Sequence, residues 1–343
     1  MTGKQKVAVV GASGYTGEEL LRVLARHPRV ELTAVTSRQY AGQTINQLLG
    51  AQALAVNLTL ENLDPASVSG RAEVFFLALP HGVATEYAVP LLKAGKVVID
   101  LSADFRLKNA GKYQEYYQED HPAPLLLKES VYGLPELYRE ALKNAQLIAC
   151  PGCYPTGTIL ALAPALRYKL IRPETIIVNS LSGVSGAGKQ AGVLYSFSER
   201  DENMMPYSVP RHRHIPEIEQ ELSNLGGEAV AISFTPHLVP LVRGMLTTVV
   251  AELSRPHKQE EVQKIYEEFY HHEPFVPVLP SDRLPETKRV LRTNACEVAV
   301  RADSRTGRLL MFSAQDNLGK GAATQAVQAF NVRFGYAEAT GLL

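Results

Sequence analysis

Val7-Ala-Val-Val10 runs directly into Gly11-Ala-Ser-Gly14-Tyr-Thr-Gly17 and then into a helical pattern. This junction of strand, glycine loop and helix constrains the fold more than any other feature of the chain. Glycines let a loop backbone turn tightly and approach a pyrophosphate, while the N–H groups and positive end of the following helix attract its charge. The junction predicts a dinucleotide-binding unit with Gly11, Gly14 and Gly17 at the cofactor, although its G-x-x-G-x-x-G spacing is not the commoner G-x-G-x-x-G.

The end of the second strand discriminates between cofactors. An acidic residue there would hydrogen-bond the ribose 2′-hydroxyl of NAD, but this chain carries Ser37 and Arg38. A hydroxyl and a planar guanidinium suit a 2′-phosphate, so NADP(H) is expected.

At 343 residues the chain exceeds the length at which one core usually stops growing, so two domains are expected. Runs at 6–10, 31–36, 74–79 and 97–100 read as strands, alternating with helical patterns near 17–26 and 83–93. This is the signature of a Rossmann-type parallel sheet in an α/β domain. From about residue 175 longer runs follow, at 175–180, 228–235, 245–253, 295–302 and 309–313, the last pair joined by a six-residue turn. These fit an α+β domain with a mixed or antiparallel sheet. The expected division is 1–150 for the NADP-binding domain and 151–319 for a catalytic and oligomerisation domain, with a helix in 320–343 packing back on the first.

Thirty-five basic and 35 acidic residues balance, which gives no basic face for nucleic acid. The start of the chain has no long apolar signal region, and no stretch reaches the ~18 apolar residues of a membrane span. A cytoplasmic enzyme acting on a small molecule is the expectation.

The three cysteines, Cys150, Cys153 and Cys296, are too few for a disulfide framework. Cys153 precedes a helical pattern whose apolar stripe is Ile159, Leu160, Leu162, Ala163 and Leu166, with Pro155 in its first turn. The positive end of that helix would stabilise a thiolate, so Cys153 is the candidate nucleophile. A redox dithiol, half a zinc site and two buried small residues are the competing readings. No second C-x-x-C completes four zinc ligands, and no metal is expected.

Arg211-His212-Arg213-His214 stands just before another helix start, marked by Pro216. An imidazole near a thiol can take its proton and later exchange one with a carbonyl oxygen; His214 is the first candidate, with His212 close behind.

With these residues in view, the chain resembles the N-acetyl-gamma-glutamyl-phosphate reductase family of arginine biosynthesis and, more distantly, the aspartate-semialdehyde dehydrogenases. The resemblance rests on the glycine loop, Leu79-Pro-His-Gly82, Asp100-Leu-Ser-Ala-Asp-Phe-Arg106, Tyr132-Gly-Leu-Pro-Glu136, Pro151-Gly-Cys-Tyr-Pro-Thr-Gly157, Ser185-Gly-Ala-Gly188, His212-Arg-His-Ile-Pro-Glu217 and Asn317-Leu-Gly-Lys-Gly321. It implies Cys153 as nucleophile and His214 as acid–base group. It adds Ser13, Tyr15, Thr16, His81 and Asn317 to the cofactor contacts, with His81 on a loop that moves on binding. Gly319 departs from the family, where a bulkier residue is common.

The implied reaction is reduction of an acyl phosphate through a Cys153 thioester. Arg106, Arg211 and Arg213 are then candidates for the substrate's phosphate and carboxylate, and the loop carrying Ser185 and Gly186 for N–H groups toward phosphate. Aspartate-semialdehyde reduction and a carrier-linked substrate of the lysine-pathway type are the alternatives, and a catalytically silent NADP sensor is the reading from a different class. A homodimer or homotetramer is expected by analogy.

Overall fold

Short runs such as Val74–Leu77, wholly apolar, and Val97–Asp100, apolar up to its final acid, are strands buried on both faces, as the strands of parallel sheets are. The computed structural model describes residues 3–50, 57–189 and 192–342. It divides the chain into two compact units, Met1–Gly152 with Ala322–Leu343, and Cys153–Gly321.

In the first unit the strands are β1 (Gln5–Val10), β2 (Val30–Thr36), β3 (Val74–Leu77), β4 (Val97–Asp100), β5 (Val131–Tyr132) and β6 (Leu147–Ala149). They form one sheet in the order β2-β1-β3-β4-β6-β5, and every neighbouring pair is parallel. Successive residues of a strand point to opposite faces. Val7 and Val9 accordingly join a core with Leu20, Leu21 and Leu24, while Ala8 and Val10 join another with Phe75, Leu77 and Leu91. The helix Thr324–Arg333 belongs to the first of these cores through Ala326, Val327 and Phe330. The expected single helix from residue 320 is interrupted: a π-helical turn, Gly319–Ala323, precedes it.

The second unit contains β7 (Ile177–Ser182), β8 (Met205–Pro206), β9 (Ser233–Leu238), β10 (Met245–Glu252), β11 (Cys296–Asp303) and β12 (Arg308–Gln315). Their order is β11-β12-β10-β7-β9-β8. Only β7 and β9 pair in parallel, so the sheet is mixed, as the sequence indicates. The helix Cys153–Arg167 lies against it and is buried at every position from Tyr154 to Leu166. Its near-uniform apolarity matches a helix enclosed on all sides. Among the described residues no helix is long and apolar enough to cross a membrane.

Candidate active site

The carboxyl ends of the parallel strands collect the motifs of the first unit, which is where open α/β sheets place their ligands. β1 ends at Val10, and the next residue, Gly11, has a φ of +83°, a left-handed conformation; a Cβ there would stand 2.4 Å from the Ala78 carbonyl oxygen. Gly14 caps the helix Tyr15–Leu24, and the space a side chain would occupy at Gly14 is empty within 4 Å. That open cradle at a helix N-terminus fits a pyrophosphate.

At the end of β2 the hydroxyls of Ser13 and Ser37 hydrogen-bond at 2.8 Å, and Ser37 also accepts from the Tyr40 N–H at 3.1 Å. Arg38 is exposed and makes no ion pair or hydrogen bond among the described residues. A free guanidinium beside two hydroxyls fits a 2′-phosphate. Tyr15 is partly exposed and Thr16 half-buried in the first turn of the same helix.

β3 leads into the loop carrying His81, whose ring packs on Tyr117 at 5.5 Å. Asp104, wholly buried, accepts from the Gly82 N–H at 2.7 Å and from the Thr85 N–H and hydroxyl at 3.0 and 2.9 Å, which pins this loop. Asp100 accepts from the Ser102 N–H and hydroxyl. Burial and the neighbouring Asp104 push its carboxyl up to about 7 against the opposing pull of Ser102 and Arg106. Arg106, only 7% exposed, donates to the carbonyls of Cys150 and Leu101 at 2.8 and 2.9 Å. Its guanidinium therefore holds backbone in the first unit. A cavity of about 860 Å³ in this unit, lined by Leu92, Leu125, Leu126 and Val131 among others, contains none of the motif residues.

In the second unit Cys153 is the first residue of its helix, rather than the residue just before it as the sequence indicates. Its side chain is part-exposed, whereas Cys150 and Cys296 are buried. Burial pushes the Cys150 thiol upward, which removes it as a nucleophile at neutral pH. Beside Cys153, the Tyr154 ring packs edge-on against His212 at 5.6 Å and His214 at 5.8 Å; the two imidazoles are 4.9 Å apart. Tyr207 donates its hydroxyl proton to Tyr154 at 3.0 Å. The structure thus brings His212 and His214 to the ring of Tyr154, the chain neighbour of Cys153.

His212 and His214 point inward and Arg211 and Arg213 are exposed, the alternation seen along R-H-R-H. Burial and the adjacent Arg213 charge lower the His212 imidazole to about 4. Asn317 is buried in the same unit; it accepts from the Gly244 N–H and donates to the Ser185 hydroxyl, both at 2.9 Å. The loop of Ser185 and Gly186 differs from the expected phosphate cradle. It coils into a 3-10 turn, and the N–H groups of Val184, Ser185, Gly186 and Gly188 all donate to carbonyls.

Tyr154 and Tyr207 were not singled out by the sequence. Tyr154 had a signal in its adjacency to Cys153; Tyr207, 53 residues away, had none.

Residues 6–145 match the semialdehyde dehydrogenase NAD binding domain, and residues 153–317 the semialdehyde dehydrogenase dimerisation domain. Over 98% of its length the chain is 50% identical to an N-acetyl-gamma-glutamyl-phosphate reductase of Moorella thermoacetica, covering 97% of that protein. The chain belongs to the N-acetyl-gamma-glutamyl-phosphate reductase family. A second member, from Desulfotalea psychrophila, is also 50% identical over 98% of the chain and 97% of its own length. The fold of this reductase family member is shared with aspartate semialdehyde dehydrogenase II of Vibrio cholerae, solved in complex with ASA. That likeness has a TM-score of 0.74 at 21% identity, covering 96% of this chain and 98% of that one. The aspartate semialdehyde dehydrogenase of Candida albicans, solved with NADP, gives 0.71 at 18% identity, over 96% and 98%.

Proposed function

We propose that the chain reduces N-acetyl-L-glutamyl 5-phosphate to N-acetyl-L-glutamate 5-semialdehyde and phosphate with NADPH, in arginine biosynthesis. The observation that carries this reading is the part-exposed Cys153 at a helix start, beside a Tyr154 ring that packs on both His212 and His214. Relatives named for this activity at 50% identity support the choice of substrate.

His214 takes the thiol proton, and the Cys153 thiolate attacks the acyl carbon. A C–S bond forms, the C–O bond to phosphate breaks, and inorganic phosphate leaves. NADPH, when bound, supplies the hydride that reduces the resulting thioester, and His214 returns its proton to the carbonyl oxygen to give a thiohemiacetal. The thiohemiacetal oxygen then loses its proton to His214, the C–S bond breaks to give the aldehyde, and Cys153 returns as thiolate. Donors aimed at the oxyanion contribute about 3 kcal/mol to such steps, and the Cys153 N–H is placed for this at the start of its helix.

Gly11, Ser13, Gly14, Tyr15, Thr16, Gly17, Ser37, Arg38 and His81 form the NADP site in this reading. The exposed Arg211 and Arg213 take the substrate's anionic groups. Arg106 and Asn317 act by holding the Cys150 carbonyl and Ser185 in place, with Ser185 and Gly186 bordering the substrate. The chain works in the cytoplasm as a homodimer or a homotetramer built from such dimers. In support, β10 and β12 present a half-buried apolar row, Leu246, Val250, Leu310 and Phe312, on one face of the second sheet.

The test is phosphate-dependent reduction of NADP by N-acetylglutamate semialdehyde, run beside aspartate semialdehyde and a carrier-linked analogue. Turnover confined to the first, lost in Cys153→Ser with NADP binding intact, supports the proposal. Preference for either of the others, or wild-type turnover in Cys153→Ser, rejects it.

A further inference from the structure

Two side chains of β12 grip the first turn of the Cys153 helix. The Gln315 amide donates to the carbonyl of Cys153 at 2.5 Å, and the Ser313 hydroxyl donates to the carbonyl of Gly157 at 2.9 Å. Residues two apart on a strand share a face and lie about 6.7 Å apart, and carbonyls four apart on a helix rise by about 6 Å. The two spacings match, so the strand serves as a ruler for the turn that carries the thiol.

The packing around this clamp leaves it little freedom. A Cβ on Gly157 would stand 2.9 Å from the Ser313 hydroxyl, and one on Gly321 would stand 3.0 Å from the Cys153 Cβ. Glycine at both positions lets the helix seat directly on the strand and the π-helical turn.

Gln315 is 1% exposed, and its amide oxygen has no hydrogen-bond partner among the described residues. The amide also donates to the Met245 sulfur at 3.8 Å, a weak acceptor. A side chain selected for stability would have both ends satisfied or would be apolar, because an orphaned buried acceptor offsets much of what the donor bonds return. An isosteric hydrocarbon would pack here without that cost. The residue's use must lie in what its N–H group holds.

We propose that Gln315 is a positioning residue for the reaction: its amide fixes the carbonyl of Cys153, and through it the orientation of the nucleophilic thiol. This rests on the assignment of Cys153 as nucleophile.

The experiment compares the full-length wild type with Gln315→Leu and Gln315→Met in three readouts: melting temperature, steady-state kinetics, and alkylation of Cys153 by iodoacetamide followed by mass spectrometry. We expect unchanged melting within about 3 °C, since one strong and one weak donor bond are lost and one orphan is removed. We expect kcat lower by about tenfold with KM for the acyl phosphate within about twofold, as for a misplaced reacting group. Alkylation at pH 7 should slow by about threefold as the thiol loses its set orientation. Wild-type kcat and alkylation in both variants would overturn the proposal, as would a fall in activity explained entirely by lost folded protein. Gln315→Met, which keeps the chain length, decides the matter if the leucine variant does not fold. If wild-type alkylation instead falls on another cysteine, the nucleophile assignment fails and the positioning role falls with it.

Discussion

The backbone N–H of His214 donates to Nδ1 of His212 at 3.1 Å, and this bond separates the roles of the two imidazoles. A ring nitrogen that accepts carries no proton in the neutral form, so the His212 proton sits on Nε2. Burial and Arg213 keep that ring neutral at physiological pH. His212 is therefore a fixed donor and a support for the His214 backbone, and in the proposed mechanism proton transfer falls to His214.

Replacing His214 with Asn should cut kcat by about 10³, in the range of a lost acid–base group. His212→Asn should cost about tenfold, because Asn keeps a donor and an acceptor at this place. Stopped-flow single turnovers would check the order, and equal losses would refute the division. His212 also marks stability. Its folded value of about 4 lies below the unfolded 6.5, so the unfolded chain binds the extra proton and stability falls as pH drops through that window. Denaturant melts of His212→Asn should lose this component between pH 6.5 and 4.

Arg38, just beyond β2, is exposed and has no ion pair or hydrogen bond among the described residues. Converting it to Asp replaces a phosphate fork with a carboxylate that suits a ribose 2′-hydroxyl. KM for NADPH should rise by about 100-fold while that for NADH changes by less than about fivefold, from the loss of two charge-assisted bonds and the gain of a repulsion. Initial-rate kinetics with both cofactors would show it. An unchanged ratio would mean that Arg38 is only a solvated surface charge.

The parts of this molecule legible in the sequence are those written in local pattern. β1, the glycine loop and its helix follow from a strand period meeting a glycine spacing, and the β4 bounds are read directly because three apolar residues end at an acid. The helix began at Tyr15, two residues before the expected Gly17, since Gly14 itself supplies the extended cap. The short helices Ala110–Tyr117, Pro124–Glu129 and Pro135–Leu142 had no clear period to announce them. At the active site, Cys153 and the histidines stood out by residue type. Long-range partners did not: Tyr207 on Tyr154, Gln315 on Cys153 and Asp104 beneath the His81 loop are pairings that the tertiary fold creates. The Ser185 loop reads as a nest of N–H groups, but the fold turned those groups inward.

Gly17 offers a test in which two effects oppose. Exchanging glycine for alanine within a helix ordinarily stabilises by about 1 kcal/mol. Here the added Cβ would meet the Gly11 carbonyl oxygen at 2.5 Å and Ala12 backbone atoms at 2.7 Å. Backbone cannot swing aside as a flexible side chain does, so the clash wins and overpacking of about 2 kcal/mol or more is expected. Gly17→Ala should melt earlier and bind NADP more weakly, by calorimetry. A more stable protein would show that the loop yields to the added methyl group.

Asp100 tests the electrostatics of the first unit with a sign opposite to that of His212. Its folded value of about 7 lies above the unfolded 3.8, because burial and the Asp104 charge outweigh the Ser102 bonds and Arg106. Between these values the folded protein holds a proton that the unfolded chain has released, so ∂ΔG/∂pH for unfolding is negative. The contribution is fully present below pH 3.8 and is lost as pH rises to about 7. Asp100→Asn keeps an acceptor for the Ser102 N–H while removing the titration. Its stability should therefore be less dependent on pH across this window, and at pH 8 it should exceed the wild type by on the order of 1–3 kcal/mol, the part of the burial cost that neighbouring Arg106 does not offset. Amide exchange at the β4 and β6 strands, measured at pH 5 and pH 8, localises the effect to the first unit; a variant with the wild-type pH slope would remove Asp100 as its source.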